Sequence, residues 1–195
     1  MSSISPTGIT QINTTNIEGM DLETAMMSVQ TNRANMLEAQ LKSQIEGVQK
    51  KNDSISKMNE ALGQLNKVAA MFGGSAKAGD KANSATGFKD NDYKIEKEAN
   101  STLKTAGLTV FDKNPGRDLT GQTMPGGMSG NTTKGEIDGA IQQIKSAIDS
   151  ASNSQQMDML RLQSLSNKRN EAFETMTNFI KKMQDSRSSI IGNMR

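Results

Sequence analysis

Proton transfer near neutral pH usually calls on histidine, and soft-metal or nucleophilic chemistry on cysteine; this chain has neither. A Ser/His/Asp triad, a Cys-x-x-Cys pair and a His-Glu-x-x-His zinc helix are therefore excluded. Gly126-Gly127-Met128-Ser129-Gly130 has the glycine density of a phosphate loop. It lacks both the G-x-G-x-x-G spacing and the Gly-Lys-Ser/Thr ending that would cradle phosphates. Carboxylates are plentiful, but on the expected helices they pair with basic neighbours or face water, so no two are set for acid–base work. No alternating run of aspartates forms a calcium loop. The N-x-S/T triplets at Asn13, Asn100 and Asn131 are short enough to arise by chance. No catalytic residue, cofactor or metal is expected.

Composition narrows the classes further. Only 33% of residues are hydrophobic and 3% aromatic, which leaves little for a large globular core. The 23 basic and 21 acidic residues are interspersed, so no nucleic-acid or anionic-membrane footprint is indicated. No stretch reaches the roughly 20 apolar residues of a membrane span. The opening MSSISPTGITQINTTNIEG has no charged side chain before Glu18, no basic flank and no apolar core. It is not a Sec-type signal. Residues 1–20 are expected to be disordered, and they also have the polar, charge-poor character of an uncleaved type III export signal.

The elements that follow fall into three regions. Residues 21–72 read as one long helix, with Asp21 as N-cap and Gly73-Gly74 as the stop. Apolar residues recur at helical spacing from Leu22, Met26, Val29 and Met36 or Leu37 through Ala69 to Phe72. Glu38 with Lys42, Glu46 with Lys50 and Asp53 with Lys57 lie at i,i+4 in the favoured order. Residues 73–133 are glycine-rich and read as a surface-exposed insert. Within it Asp90-Asn91-Asp92 caps a short helix ending at Gly107, with Ile95, Ala99, Leu103 and Ala106 on its face. Leu108–Phe111 is expected to be a strand, Asn114-Pro115-Gly116 a turn, and Gly121–Thr133 a mobile loop.

Residues 134–195 return to helix behind the capping box Thr133-Lys134-Gly135-Glu136. Ile137, Ile141, Ile144, Ile148 and Ala151 step by four and three. Met159, Leu162, Ser166, Arg169, Phe173, Met176, Ile180, Met183, Arg187, Ile190 and Met194 step by three and four. Joining the two series through Gln155 requires successive steps of four, a stutter that relaxes left-handed supercoiling.

The fold class expected is mainly α: a long antiparallel coiled-coil hairpin of the two terminal helices, with an irregular α+β insert between them. Its candidate assembly seam runs through Leu41, Ile45, Val48, Ile55, Met58, Leu62 and Leu65 on the first helix. On the last helix it runs through Ile141, Ile144, Ile148, Met159, Leu162, Phe173, Met176, Ile180, Met183, Ile190 and Met194. Arg169 and Arg187 are polar seam positions that either fix register, face a wet channel, or extend their stems past the seam. Apolar residues off the seam (Met157, Leu160, Leu165, Ala172, Phe179 and Ile191) widen the stripe beyond what one partner covers. The 14 methionines suit a repacking interface.

Residues 134–195 resemble the C-terminal region of type III secretion filament and needle-tip subunits, the EspA/SseB kind. The resemblance rests on Ile144-Lys145-Ser146-Ala147-Ile148-Asp149, Asn153-Ser154-Gln155 and the amphipathic helix beyond; the rest matches in layout only. It implies a subunit exported unfolded to the bacterial cell surface, where its terminal helices polymerise into a filament or tip complex. Implied partners are further copies of itself, needle and translocon proteins, and an intracellular export chaperone. The first helix departs from the family in lacking a nearly continuous apolar run, which admits a short tip cap beside a long filament. The competing readings are a cytosolic coiled-coil adaptor or chaperone and a translocator of the same apparatus.

A seam carried to Met194 stabilises only when covered, since each exposed Met, Ile or Phe forgoes roughly 1.5–3 kcal/mol. Removing the last ten residues is expected to abolish assembly while most helical circular dichroism remains. Unchanged sedimentation of the shortened chain would contradict the seam.

Overall fold

The computed structural model describes residues 22–111 and 115–193 and is mainly helical. The expected export segment 1–20, the Asp21 cap, Asn114 of the expected turn and Met194 of the seam lie outside the described residues. Helix α1 spans Leu22–Ala70, α2 Asp90–Ala106 and α3 Lys134–Asn193. Strands β1 (Gly116–Arg117) and β2 (Thr123–Met124) form an antiparallel pair with Gly116 opposite Met124. The chain divides into two compact units. The first comprises Met1–Gly47 with Met157–Arg195, and the second Val48–Gln156.

The second unit holds most of the core. Met58, Ala61, Leu65, Val68 and Phe72 of α1 and its exit form one cluster with Ile137, Ala140, Ile141 and Ile144 of α3. Residues of the glycine-rich stretch join the same cluster: Ala82, Ala85, Phe88, Ala99, Leu103, Phe111, Met124 and Met128. The reading of residues 73–133 as a surface-exposed insert is therefore corrected. Its apolar residues are few but are placed to bury against the helices.

The local signals explain the ends of the elements. The exit of α1 tightens, with Met71 N–H on Val68 O and Phe72 N–H on Ala69 O, so the helix closes at Ala70. Thr133 N–H donates to Glu136 Oε2 at 2.8 Å and Glu136 N–H returns to Thr133 Oγ1 at 3.3 Å, which completes the capping box. Gly107 ends α2 with φ 68 and returns its N–H to Leu103 and Lys104, as expected of a glycine cap. The start of α2 departs from expectation. Asn91, Asp92 and Tyr93 have φ of 51, 55 and 57, a left-handed turn ahead of the regular helix. Tyr93 nevertheless packs edge-on to buried Phe88 with ring centroids 6.0 Å apart.

Leu108–Phe111 does not form the expected strand. Phe111 N–H donates to Gly126 O at 3.2 Å, and the only strand pair among the described residues is β1 with β2. Nor is Gly121–Thr133 a mobile loop by pattern of contact, since Met124, Met128 and Thr132 are buried. Its organiser is Asn100, a fully buried side chain on α2. Asn100 Nδ2 donates to Arg117 O at 2.9 Å and Met128 O at 2.8 Å, and Oδ1 accepts from Met128 N–H at 2.7 Å. Gly116 lies so close that a Cβ there would overlap Met128 O and the Asn100 amide. A Cβ at Gly130 would overlap the Asn83 side chain. At Gly116, where the neighbour is backbone, glycine permits close packing rather than motion.

The two ends of the insert run side by side. Ala82 N–H donates to Thr132 O, Asn83 N–H to Gly130 O, and the α3 residues Lys134 and Gly135 donate to Asp80 O and Ala78 O. The insert is thus closed at its base before α3 begins.

Asn100→Ala is expected to destabilise the protein by about 2–4 kcal/mol, because it leaves one buried N–H and two carbonyls unsatisfied. A urea midpoint within error of wild type would contradict the clamp.

Candidate interaction surface

In the first unit each helix covers one narrow row. On α1 the buried and half-buried row is Met27, Gln30, Ala34, Leu37, Leu41 and Gln44, stepping three and four. On α3 it is Asp158, Leu162, Leu165, Arg169, Ala172, Met176, Phe179 and Met183, stepping four and three. Thr31 Oγ1 lies 3.8 Å from Met176 Sδ, a contact of α1 with α3 inside this unit. Among the described apolar residues here only Ala34, Leu37 and Ala172 are fully buried. Two small residues in so short a list allow close approach but contribute little apolar area.

Polar groups sit on these rows. Gln30 Oε1 and Arg169 Nε are buried with no hydrogen-bond partner. Asp158 is buried and meets Arg161 at 3.5 Å. Buried polar atoms without partners cost free energy, so the row is tolerated for its position rather than its chemistry.

The expected seam follows a different line. Within the first unit the row begins at buried Asp158, whereas the expected seam member there, Met159, is exposed. That reading chose Met159, Ser166, Phe173 and Ile180 because most are apolar. Burial favours Asp158 over Met159 and Ala172 over Phe173, while Leu165 with Ser166 and Phe179 with Ile180 are half-buried alike. Leu162, Arg169, Met176 and Met183 belong to both lines and are half-buried, as is Ile180 at the edge. On α1 Leu41 is half-buried and Ile45 exposed. Arg187 and Ile190 are exposed, so the covered row stops at Met183.

The remaining seam positions lie in the second unit. Val48, Met58, Leu65, Ile141 and Ile144 are buried there, and Ile55, Leu62 and Ile148 half-buried. Their apolar area is already used within the unit. The seam thus splits into a closed half and an open half.

What remains uncovered is concentrated. Met26, Val29, Met36 and Ile45 on α1, and Met157, Met159, Leu160, Phe173, Ile190 and Ile191 on α3, are exposed large apolar side chains of the first unit. In the second unit Leu119 alone is exposed among the described large apolar residues. The sequence signal was the excess width of the stripe. What it missed was the row selected for burial, because that row includes Gln30, Gln44, Asp158 and Arg169.

Other candidate features serve the fold. The Gly126–Gly130 backbone is engaged internally, with Gly127 N–H on Met124 O and Met128 N–H on Asn100. It offers no open row of N–H groups to a phosphate. A shallow groove of about 330 Å³ in the second unit is lined by Lys50, Asp53, Ser54, Lys57 and Lys104–Gly107. No group of three or more acidic side chains among the described residues is placed to hold a metal. No described helix is long and apolar enough to cross a membrane.

Two carboxylates in the second unit titrate in opposite senses. Lys104 Nζ, at 2.7 Å, together with Thr120 Oγ1 and the amides of Thr120 and Gln122, holds the Asp118 carboxyl well below the usual range. Burial pushes Glu96 up, opposed by the Arg117 backbone N–H at 3.4 Å and the Arg117 charge.

No family model, curated protein or solved structure matches this chain. The first unit's uncovered apolar side chains therefore stand as the candidate site on their geometry alone.

The carboxylates yield a signed prediction. Asp118, with a folded pKa below its unfolded value, contributes stability above about pH 4 that is lost as pH falls through the folded value. Glu96, with a folded pKa above its unfolded value, costs stability once ionised, and the cost vanishes below about pH 4.5. Asp118→Asn is expected to lower the urea midpoint at pH 7 and Glu96→Gln to raise it. Both differences should shrink toward pH 3. The same sign for both variants would contradict the assignment.

Proposed function

We propose that this chain is a secreted structural subunit that self-assembles through its terminal helices. The product is an extracellular filament or tip complex of a type III secretion apparatus, linking needle to translocon for effector delivery. One observation carries the self-assembly: nearly all exposed large apolar side chains among the described residues belong to the first unit, whose own burial is slight. Large apolar side chains left exposed together on one unit are candidates for an interaction site. The secretion context is supported by the likeness of residues 134–195 to filament and tip subunits.

The subunit architecture in this reading is an antiparallel coiled-coil hairpin. Contacts inside the second unit support it. Lys134 and Gly135, at the start of α3, bond to Asp80 and Ala78, just beyond the end of α1. Twenty residues on, Ser154 accepts from Lys51 Nζ at 2.7 Å, and Gln155 donates to Asn52. Advance along α3 therefore accompanies retreat along α1. The three-four spacing of the covered rows fits knobs-into-holes packing.

In this reading the exposed members of the first unit are covered by neighbouring copies, and needle and translocon proteins meet the ends of the assembly. The chaperone inside the cell covers the same side chains before export.

The test is assembly against concentration by sedimentation velocity and negative-stain microscopy. Wild type is expected to form fibres or discrete rings. Met159→Asp with Phe173→Asp should weaken association by at least about tenfold, given the value of each buried apolar side chain. Helical content should be unchanged, and Leu119→Asp, in the other unit, should leave association intact. Wild type that stays single at high concentration would overturn the reading, as would a double variant that assembles normally.

A further inference from the structure

Sulfur in this chain is methionine sulfur only. There are 14 Met, no Cys, no Trp and no His, so the groups that peroxides and hypohalous acids attack most readily are thioethers. Among the described methionines four are exposed, four (Met27, Met71, Met176 and Met183) are half-buried and three are buried. Met26, Met36, Met157 and Met159 are 43%, 50%, 57% and 53% exposed, and all four lie in the first unit. Met58, Met124 and Met128, in the second unit, are 7%, 7% and 0% exposed. Accessibility governs thioether oxidation, so the two groups differ in reactivity by position alone.

We propose that Met26, Met36, Met157 and Met159 are methionine-sulfoxide sites through which an external peroxide switches off association. The inference rests on the reading that the first unit's apolar side chains self-associate. The chemistry is an oxygen transfer. The thioether lone pair attacks one oxygen of hydrogen peroxide, the O–O bond breaks, the proton on the transferred oxygen passes to the departing hydroxide, and sulfoxide and water are the products. Sulfur is oxidised by two electrons and the peroxide reduced by two. Each event replaces a flexible apolar group with a polar one that disfavours burial at an interface. It does so without touching the core, because the buried methionines of the second unit are shielded. Assembly in turn covers the four sites, so the unassembled chain is the sensitive form. The product remains open to reversal by methionine-sulfoxide reductases.

The experiment treats the full chain with graded hydrogen peroxide, then maps sulfoxide by peptide mass spectrometry and measures association by sedimentation velocity. Met26, Met36, Met157 and Met159 should convert first and Met58, Met124 and Met128 last, with the urea midpoint of the protein retained. Association should fall by about tenfold or more once the four are oxidised, and reductase treatment should restore it. The fourfold variant M26L/M36L/M157L/M159L keeps volume and apolarity and should associate as wild type but resist peroxide. Indiscriminate oxidation, or association that survives complete conversion of the four, overturns the switch alone. A fourfold variant as peroxide-sensitive as wild type does the same. Untreated wild type that never associates overturns the self-assembly reading and the switch together, while the sulfoxide map still reports the exposure order.

Discussion

The order of the second unit hangs on one buried amide. Asn100 sits on the apolar face of α2, where its polar atoms would be costly if left unmatched. It is matched completely by chain that is far away in sequence: one carbonyl from β1, and the N–H and carbonyl of Met128. A fully satisfied buried side chain of this kind imposes a single arrangement, since any displacement of its partners leaves donors and acceptors bare. Gly116 follows from it, because the strand must approach without a Cβ. The burial of Met124 and Met128 follows in turn, for their segment is held down on the helices. A glycine-rich stretch with few apolar residues thereby becomes part of the core.

The first unit obeys a different constraint. A helix pair keeps a three-four rhythm, and the rhythm does not drift to favour the best side chains. On α3 it passes through Asp158 and Arg169 and leaves Met159 and Phe173 outside. Ala34 and Ala172 are two of the three buried apolar residues described in this unit. The outcome is a stretch of helix whose inside is partly polar and whose outside is partly apolar.

The helices were legible because their signals are local and repeated: apolar spacing and i,i+4 charge pairs in the long ones, the Thr133–Glu136 box at the start of α3 and the Gly107 stop of α2. The end of α1 at Ala70 and the start of α3 at Lys134 fall within two residues of expectation. The face of α2 was legible too, as Ala99 and Leu103 are buried. What sequence could not give was contact between distant residues. Asn100 appeared as a chance N-x-S/T triplet rather than an organiser, and glycines placed by steric closeness read as loop. The seam position at Met159 followed apolar identity, whereas a covered row is set by geometry and admits Gln30 or Asp158 where spacing demands. The candidate surface was half legible: excess apolar width was visible, but which members are exposed depends on the row chosen for burial.

The paired backbone at the base of the insert carries a further consequence. Because residues 78–83 bond directly to residues 130–135, the distance between the end of α1 and the start of α3 is set there. Everything from Ser84 to Ser129 lies beyond that closure. Chain length added at the exposed Thr120-Gly121 turn would disturb the bonds of Thr120 and Gln122 to Asp118 but not those between residues 78–83 and 130–135, and its loop-closure cost grows only logarithmically. The fold thus provides a cassette: foreign sequence can be carried at its tip while the paired base stays closed.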